Sequence, residues 1–159
     1  MPLLIQFDNK IKAYNNFDEI TRLDNYNYIT YIYCNSNKLT FLPDNLPPNL
    51  QELYCNSNKL TFLPDNLPPN LQELYCGNNN LTLLPENVPP NLQILYCTNN
   101  KLTSLSDNLP PNLKYLYCNN NNLTKLPDNL PPNLTKLYID KSQIILLPQY
   151  IHYKCIVST

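Results

Sequence analysis

Glycine is nearly absent from this 159-residue chain, which has one Gly, no Trp and a single histidine, His152. Scarce glycine argues against a glycine-rich phosphate loop, and the lone histidine falls in no Cys, His and acid grouping on a plausible site. An excess of charge of one sign is missing too. With 11 Lys plus Arg against 12 Asp plus Glu, no long-range field recruits nucleic acid or an anionic membrane. No apolar run approaches the about 18 residues that a bilayer span needs. The opening MPLLIQFDNK has no basic n-region, and its apolar stretch is too short for a signal peptide. The expected address is therefore cytoplasmic, where the six cysteines are expected as thiols. The length has room for one domain and its caps.

What the chain does have is a period. Cysteine recurs at every twenty-first residue, Cys34, Cys55, Cys76, Cys97 and Cys118, inside near-identical copies of LQELYCNSNKLTFLPDNLPPN, quoted from 50–70. A strict short period means one small unit stacked many times, each copy presenting the same inner and outer faces to the next. Copies start at Ile29, Leu50, Leu71, Leu92, Leu113 and Leu134, with apolar residues at positions four, six, eleven and fourteen. In the second copy these are Leu53, Cys55, Leu60 and Leu63, with Leu67 before the double proline.

Alternation around Leu53-Tyr54-Cys55 has the period of a short strand. The PDNLPP half is no ordinary helix, because Pro68 and Pro69 lack donors and each restricts its predecessor to extended backbone. An extended or polyproline-like outer side with a turn near Asp65-Asn66 is predicted, and stacking the copies gives a parallel sheet on one face.

The pattern L-x-x-L-x-C-x-x-N-x-L-x-x-L-P resembles the leucine-rich repeat, with Cys where Leu is usual. The likeness is to the short, proline-bearing class found in bacterial secreted effectors. The phrasing also looks like leucine-rich-repeat proteins of giant viruses of amoebae, whose AT-rich genomes would suit a bias to 28 Asn and 13 Tyr. The resemblance implies a repeat solenoid, an arc with a short-stranded parallel sheet lining its concave face. Domain bounds follow: an N-terminal cap over 1–28, six repeats over 29–154 and a closing edge over 155–159. Phe17, Ile20 and Leu23 are candidates to cover the first coil. The sixth copy drifts, with Ile139 for Cys, Ser142 for Asn and Ile144 for Leu. Ile151 keeps the late apolar site, and Cys155 falls at position one of an unfinished seventh copy whose Cys155-Ile156-Val157 suits an edge strand.

Three columns are candidates for function. The cysteines point inward in the family pattern and read as buried small hydrophobes. Zinc needs ligands that converge at short spacing, and the only close Cys/His pair is His152 with Cys155, so no metal or cofactor is expected. Asn37, Asn58, Asn79, Asn100 and Asn121 match the family's position nine and are expected to bond backbone groups left unpaired by the turning chain. Tyr33, Tyr54, Tyr75, Tyr96, Tyr117 and Tyr138 occupy position five, turned outward on the sheet, where a file of rings can stack on a partner or simply pack across the strands. Beside them, position three changes from copy to copy: Tyr31, Glu52, Glu73, Ile94, Tyr115 and Lys136. With Glu52 and Glu73 early and Lys114 and Lys136 late, the face is weakly polar in charge.

No catalytic set appears. The reading is a non-enzymatic module that binds a protein partner through the tyrosine-lined concave face. Two alternatives stand beside it. One is a self-associating structural protein. The other, implied by the effector resemblance, is a substrate-recognition subunit for a ubiquitin ligase with catalysis in trans.

Overall fold

The computed structural model of the protein describes residues 1–8, 10–140, 142 and 156–158, the last three through their backbone. His152, Cys155, Ile144 and Ile151 lie outside the described residues.

Each repeat contributes one three-residue strand whose central residue is buried and whose flanks are half-buried: β3 (Tyr31–Tyr33), β4 (Glu52–Tyr54), β5 (Glu73–Tyr75), β6 (Ile94–Tyr96), β7 (Tyr115–Tyr117) and β8 (Lys136–Tyr138). They pair in parallel in strict register, Leu53 with Leu74 and Leu74 with Leu95, so that every position sits over its copy. This is the parallel stack expected from the period, and the arc that the leucine-rich-repeat resemblance implies. Before it come β1 (Leu3–Phe7) and β2 (Lys10–Tyr14), an antiparallel hairpin whose β1 also runs antiparallel to β3. The short helix α1 (Phe17–Thr21) follows, N-capped by the Asn16 side chain, which accepts from the Glu19 N–H at 3.0 Å. Its Ile20 is fully buried, and Phe17 and Leu23 pack partly against the core.

At the other end β9 (Ile156–Ser158) pairs in parallel with β8. Its register departs from a strict 21-residue count. Val157, not Ser158, stands beside Leu137. Since a one-residue slip exchanges the two faces of a strand, the shorter interval puts an aliphatic residue in register with the buried leucine row.

The core is a stack of identical layers. Leu53, Cys55, Leu60, Leu63 and Leu67 are all buried in the second copy, and the equivalents elsewhere join the same cluster. The polyproline half is extended, as the double prolines demand, and bends at Asp65-Asn66. It is closed by a turn not anticipated in the sequence, Leu71 N–H to Pro68 C=O at 3.1 Å, with counterparts at Leu50, Leu92, Leu113 and Leu134. Beside that turn a second asparagine column donates to the preceding repeat, Asn91 to the Pro69 carbonyl and Asn112 to the Pro90 carbonyl, both at 3.3 Å.

The position-nine amides lie inside. Asn100 donates to the carbonyls of Cys76, Cys97 and Thr98 at 3.0, 3.0 and 3.4 Å and accepts from the Leu81 N–H at 3.0 Å. Asn79 repeats the set one layer back, on Cys55, Cys76, Gly77 and Leu60. Asn58 accepts from two N–H groups, Asn37 and Leu39. The end members are half-buried: Asn37 donates to Asn35, and Asn121 to Cys97, Cys118 and Asn119. The residue before each amide is left-handed: Ser36, Ser57, Asn78, Asn99 and Asn120 have φ between 54° and 56°. Glycine would be the usual choice, and in its place the chain uses asparagine, which tolerates that region best among the rest, and serine.

The thiols face apolar layers. Burial pushes Cys34, Cys76 and Cys118 up to about 12, and raises Cys55 and Cys97 well above the ordinary value. All five are free, and among the described residues no cluster of ligands could hold a metal ion.

Two outcomes are expected. Asn100→Ala strips a buried N–H and three carbonyls of their partner and should cost about 2–3 kcal/mol in urea unfolding, whereas Asn91→Ala on the exposed column should cost less than about 1 kcal/mol. Stability should also fall on the alkaline side. The folded thiols titrate above the unfolded ones, so their contribution is complete below about pH 8.5 and is lost as pH rises from there toward 12. Melting temperature should decline between pH 8 and 10, less steeply in Cys55→Ala/Cys97→Ala; identical slopes for the two proteins would refute this.

Candidate functional site: the tyrosine-lined concave face

Alternation along each strand decides what the sheet displays. Position four goes in, so positions three and five come out together and stack row on row through the register. The six tyrosines Tyr33, Tyr54, Tyr75, Tyr96, Tyr117 and Tyr138 form one continuous file, each ring touching the next. Tyr31, Glu52, Glu73, Ile94, Tyr115 and Lys136 form the file beside it, half-buried like the tyrosines.

The tyrosine file is not uniform. Tyr54 and Tyr75 stack at 4.5 Å and 8°, and Tyr117 and Tyr138 at 4.5 Å and 15°. Tyr96, between these pairs, is tilted against both neighbours, at 6.0 Å from Tyr75 and 5.4 Å from Tyr117. Tyr33 is tilted on Tyr54 in the same way, at 6.2 Å and 31°, but only Tyr96 lies against the chain's single glycine. A Cβ on Gly77 would stand 2.5 Å from Tyr96 Cε1 and 2.8 Å from Cδ1, so the ring occupies space that other residues at position seven would fill. Gly77 is thus used for close approach and not for backbone freedom. On this face lies a shallow depression of about 480 Å³, lined by Tyr75, Ile94, Tyr96, Tyr115, Tyr117 and Lys136. Position seven reads as plain variation in the sequence; only the ring's position shows why a glycine belongs there.

Charge is divided along the face. At the N-terminal end the Tyr54 hydroxyl lies 3.2 Å from carboxylate oxygens of both Glu52 and Glu73. Burial, followed by those two carboxylates, raises the Tyr54 phenol well above its usual range; Tyr31 and Tyr75 are raised by burial and then by Glu52 and Glu73 respectively. These phenols stay protonated at neutral pH, and the single Tyr54 O–H already donates to the carboxylates beside it. At the C-terminal end Lys136 sits over the Tyr115 ring at 5.8 Å, whereas Lys114, expected on this face, donates to the Gln93 side chain at 2.9 Å in a separate groove with Gln72, Asn91, Asn112 and Asn133. Position seven forms its own edge ladder: Asn35 accepts from the Asn56 N–H at 2.6 Å and Asn56 from the Gly77 N–H at 2.8 Å.

Gly77→Ala should push the Tyr96 ring off its seat, at a cost of about 1–3 kcal/mol if the neighbours do not yield. Ring proton shifts of Tyr96 and Tyr75 should change with the backbone otherwise preserved; unchanged rings would show that the glycine does not set where the Tyr96 ring lies.

Comparison with known proteins agrees with this architecture. The Leucine Rich Repeat family model matches residues 49–69, 70–90 and 112–132. No curated protein matched the sequence. Among solved structures, the chain is similar to YopM from Yersinia enterocolitica, with 41% identity over 65% of this chain and 21% of that one at a TM-score of 0.58. It is also similar to a Shigella effector leucine-rich-repeat domain, with 35% identity over 70% of this chain and 49% of that one at a TM-score of 0.66. A third likeness is to InlP of Listeria monocytogenes, at 28% identity over 84% of this chain and 40% of that one, with a TM-score of 0.69. The chain spans less than half the length of each of these proteins. Residues 49–90 and 112–132 thus match leucine-rich repeats, and the solved structures the chain is similar to include repeat domains of bacterial effectors.

Proposed function

We propose that the protein is a non-enzymatic interaction module, acting in the cytoplasm, that binds a protein partner through its concave face, with residues 1–28 and 155–159 closing the two ends of the 29–154 array. The observation that carries this is the depression around Tyr96. The Tyr96 ring lies close over Gly77, and with Tyr75, Tyr115 and Tyr117 it lines an aromatic hollow with Lys136 at its rim. A hollow of this kind fits an apolar or aromatic side chain, and aromatic residues dominate the energetics of such contacts. The charge division gives the partner a direction. Its basic groups lie toward Glu52 and Glu73, and its acidic groups toward Lys136.

The test is capture of partners from lysate by the intact protein and by Tyr75→Ala/Tyr96→Ala, with folding of both checked by circular dichroism. The reading expects the bound proteins to be lost with the double variant. Equal recovery by a folded variant would move binding off this face.

A further inference from the structure

A second surface, on the loops that follow the strands, has chemistry of its own. Three of the exposed large apolar residues among the described residues share position thirteen of successive repeats: Phe41, Phe62 and Leu83, exposed by 63, 54 and 59%. The fold does not require them. The next two copies put Ser104 and Lys125 at the same position on the same backbone. Position sixteen is acidic in five copies, Asp44, Asp65, Glu86, Asp107 and Asp128. Phe62, Leu83, Asp65 and Glu86 line one groove of about 550 Å³, and a groove of about 200 Å³ that shares Leu83 and Glu86 continues to Ser104 and Ser106.

The molecule shows what complements this column. Lys125 reaches back to Asp107 of the preceding repeat, Nζ to Oδ2 at 3.8 Å. Where position thirteen is apolar the cation is missing, and among the described residues Asp44, Asp65 and Glu86 have no ion pair. The surface therefore lacks basic groups placed beside an apolar row, as Lys125 is placed beside Asp107. Spacing selects the backbone that would bring them. Repeats stack about 4.8 Å apart at the sheet. Successive turns of a helix are about 5.4 Å apart, so three rows drift by roughly 1 Å, whereas same-face residues of a strand, about 6.7 Å apart, drift by roughly 4 Å.

We infer that the groove lined by Phe62, Leu83, Asp65 and Glu86, with the exposed Phe41 of the preceding repeat in the same row, is a docking surface for a basic amphipathic helix of a partner protein, separate from the tyrosine face. The helix lays one apolar side chain per turn against the row, with lysines or arginines along the acidic edge.

Calorimetric titration of the full chain with two synthetic helical peptides tests this. Both carry Leu at i, i+4 and i+7; one has Lys flanking that row and the other has Glu. The Lys peptide should bind saturably, about tenfold or more tighter than the Glu peptide, and more weakly as salt is raised. Phe62→Ser/Leu83→Ser should weaken it by about tenfold or more. Serine is the residue the fourth copy already carries at this position, so the variant keeps the fold. Asp65→Asn/Glu86→Gln should narrow the difference between the peptides, and Tyr75→Ala/Tyr96→Ala should leave binding unchanged. Equal affinity for both peptides, no saturation by about 1 mM, indifference to Phe62→Ser/Leu83→Ser, or loss in the tyrosine variant would each overturn the assignment. So would self-association of the chain alone, seen by sedimentation and abolished by Phe62→Ser, which would give the groove to a second copy.

Discussion

The solenoid depends on one problem being solved in every layer: the chain must turn out of a buried strand without leaving its peptide groups unpaired. Interior carbonyls and N–H groups that lose water and gain no partner cost enough to undo a layer. The primary amide at position nine solves this with one side chain. Its two donors and one acceptor serve its own repeat and the one before, as Asn79 does for Cys55, Cys76, Gly77 and Leu60. No other neutral side chain of that length offers both functions with that reach. The cysteine beside it is small enough to let the amide approach the strand ends, and the left-handed residue before it turns the chain so that the amide points inward.

Because the turn is solved locally and identically, the outer faces are free to differ. Strict register holds positions three and five in rows whatever stands there, and position thirteen accepts phenylalanine, leucine, serine or lysine. The protein thus separates a fixed interior from two displays. One is aromatic, on the sheet, and one is apolar and acidic, on the loops. Glycine is used once, at Gly77, where it alters a display and not the fold.

Much of this was legible in the residues. The period gave the stack, alternation gave the inward cysteines and outward tyrosines, and the double prolines gave an extended outer side. These follow from local chemistry repeated many times. The hairpin of β1 and β2 was not legible, because its pairing with β3 is a single non-local event with no second copy to average over. The left-handed serines and asparagines left a faint sign, a column that holds only Ser or Asn through the first five copies, which goes unread when glycine is the expected marker. The register of β9 escaped too, since counting by the period places Ser158 where the sheet places Val157. The close approach of the Tyr96 ring to Gly77 is a three-dimensional fact that the residue at position seven alone does not carry.

The hairpin has a wider consequence. A parallel stack offers the same open edge at each layer, so nothing within the repeats themselves says where counting should start. By running antiparallel to β3, β1 converts that edge into one that no further copy can extend in kind. Array length is thereby uncoupled from how the first edge is sealed. A whole 21-residue unit can be gained or lost between β3 and β8 without touching the contacts of the hairpin. Unequal recombination between near-identical copies would then lengthen or shorten both displays by one row at a time, while the start of the stack stayed the same.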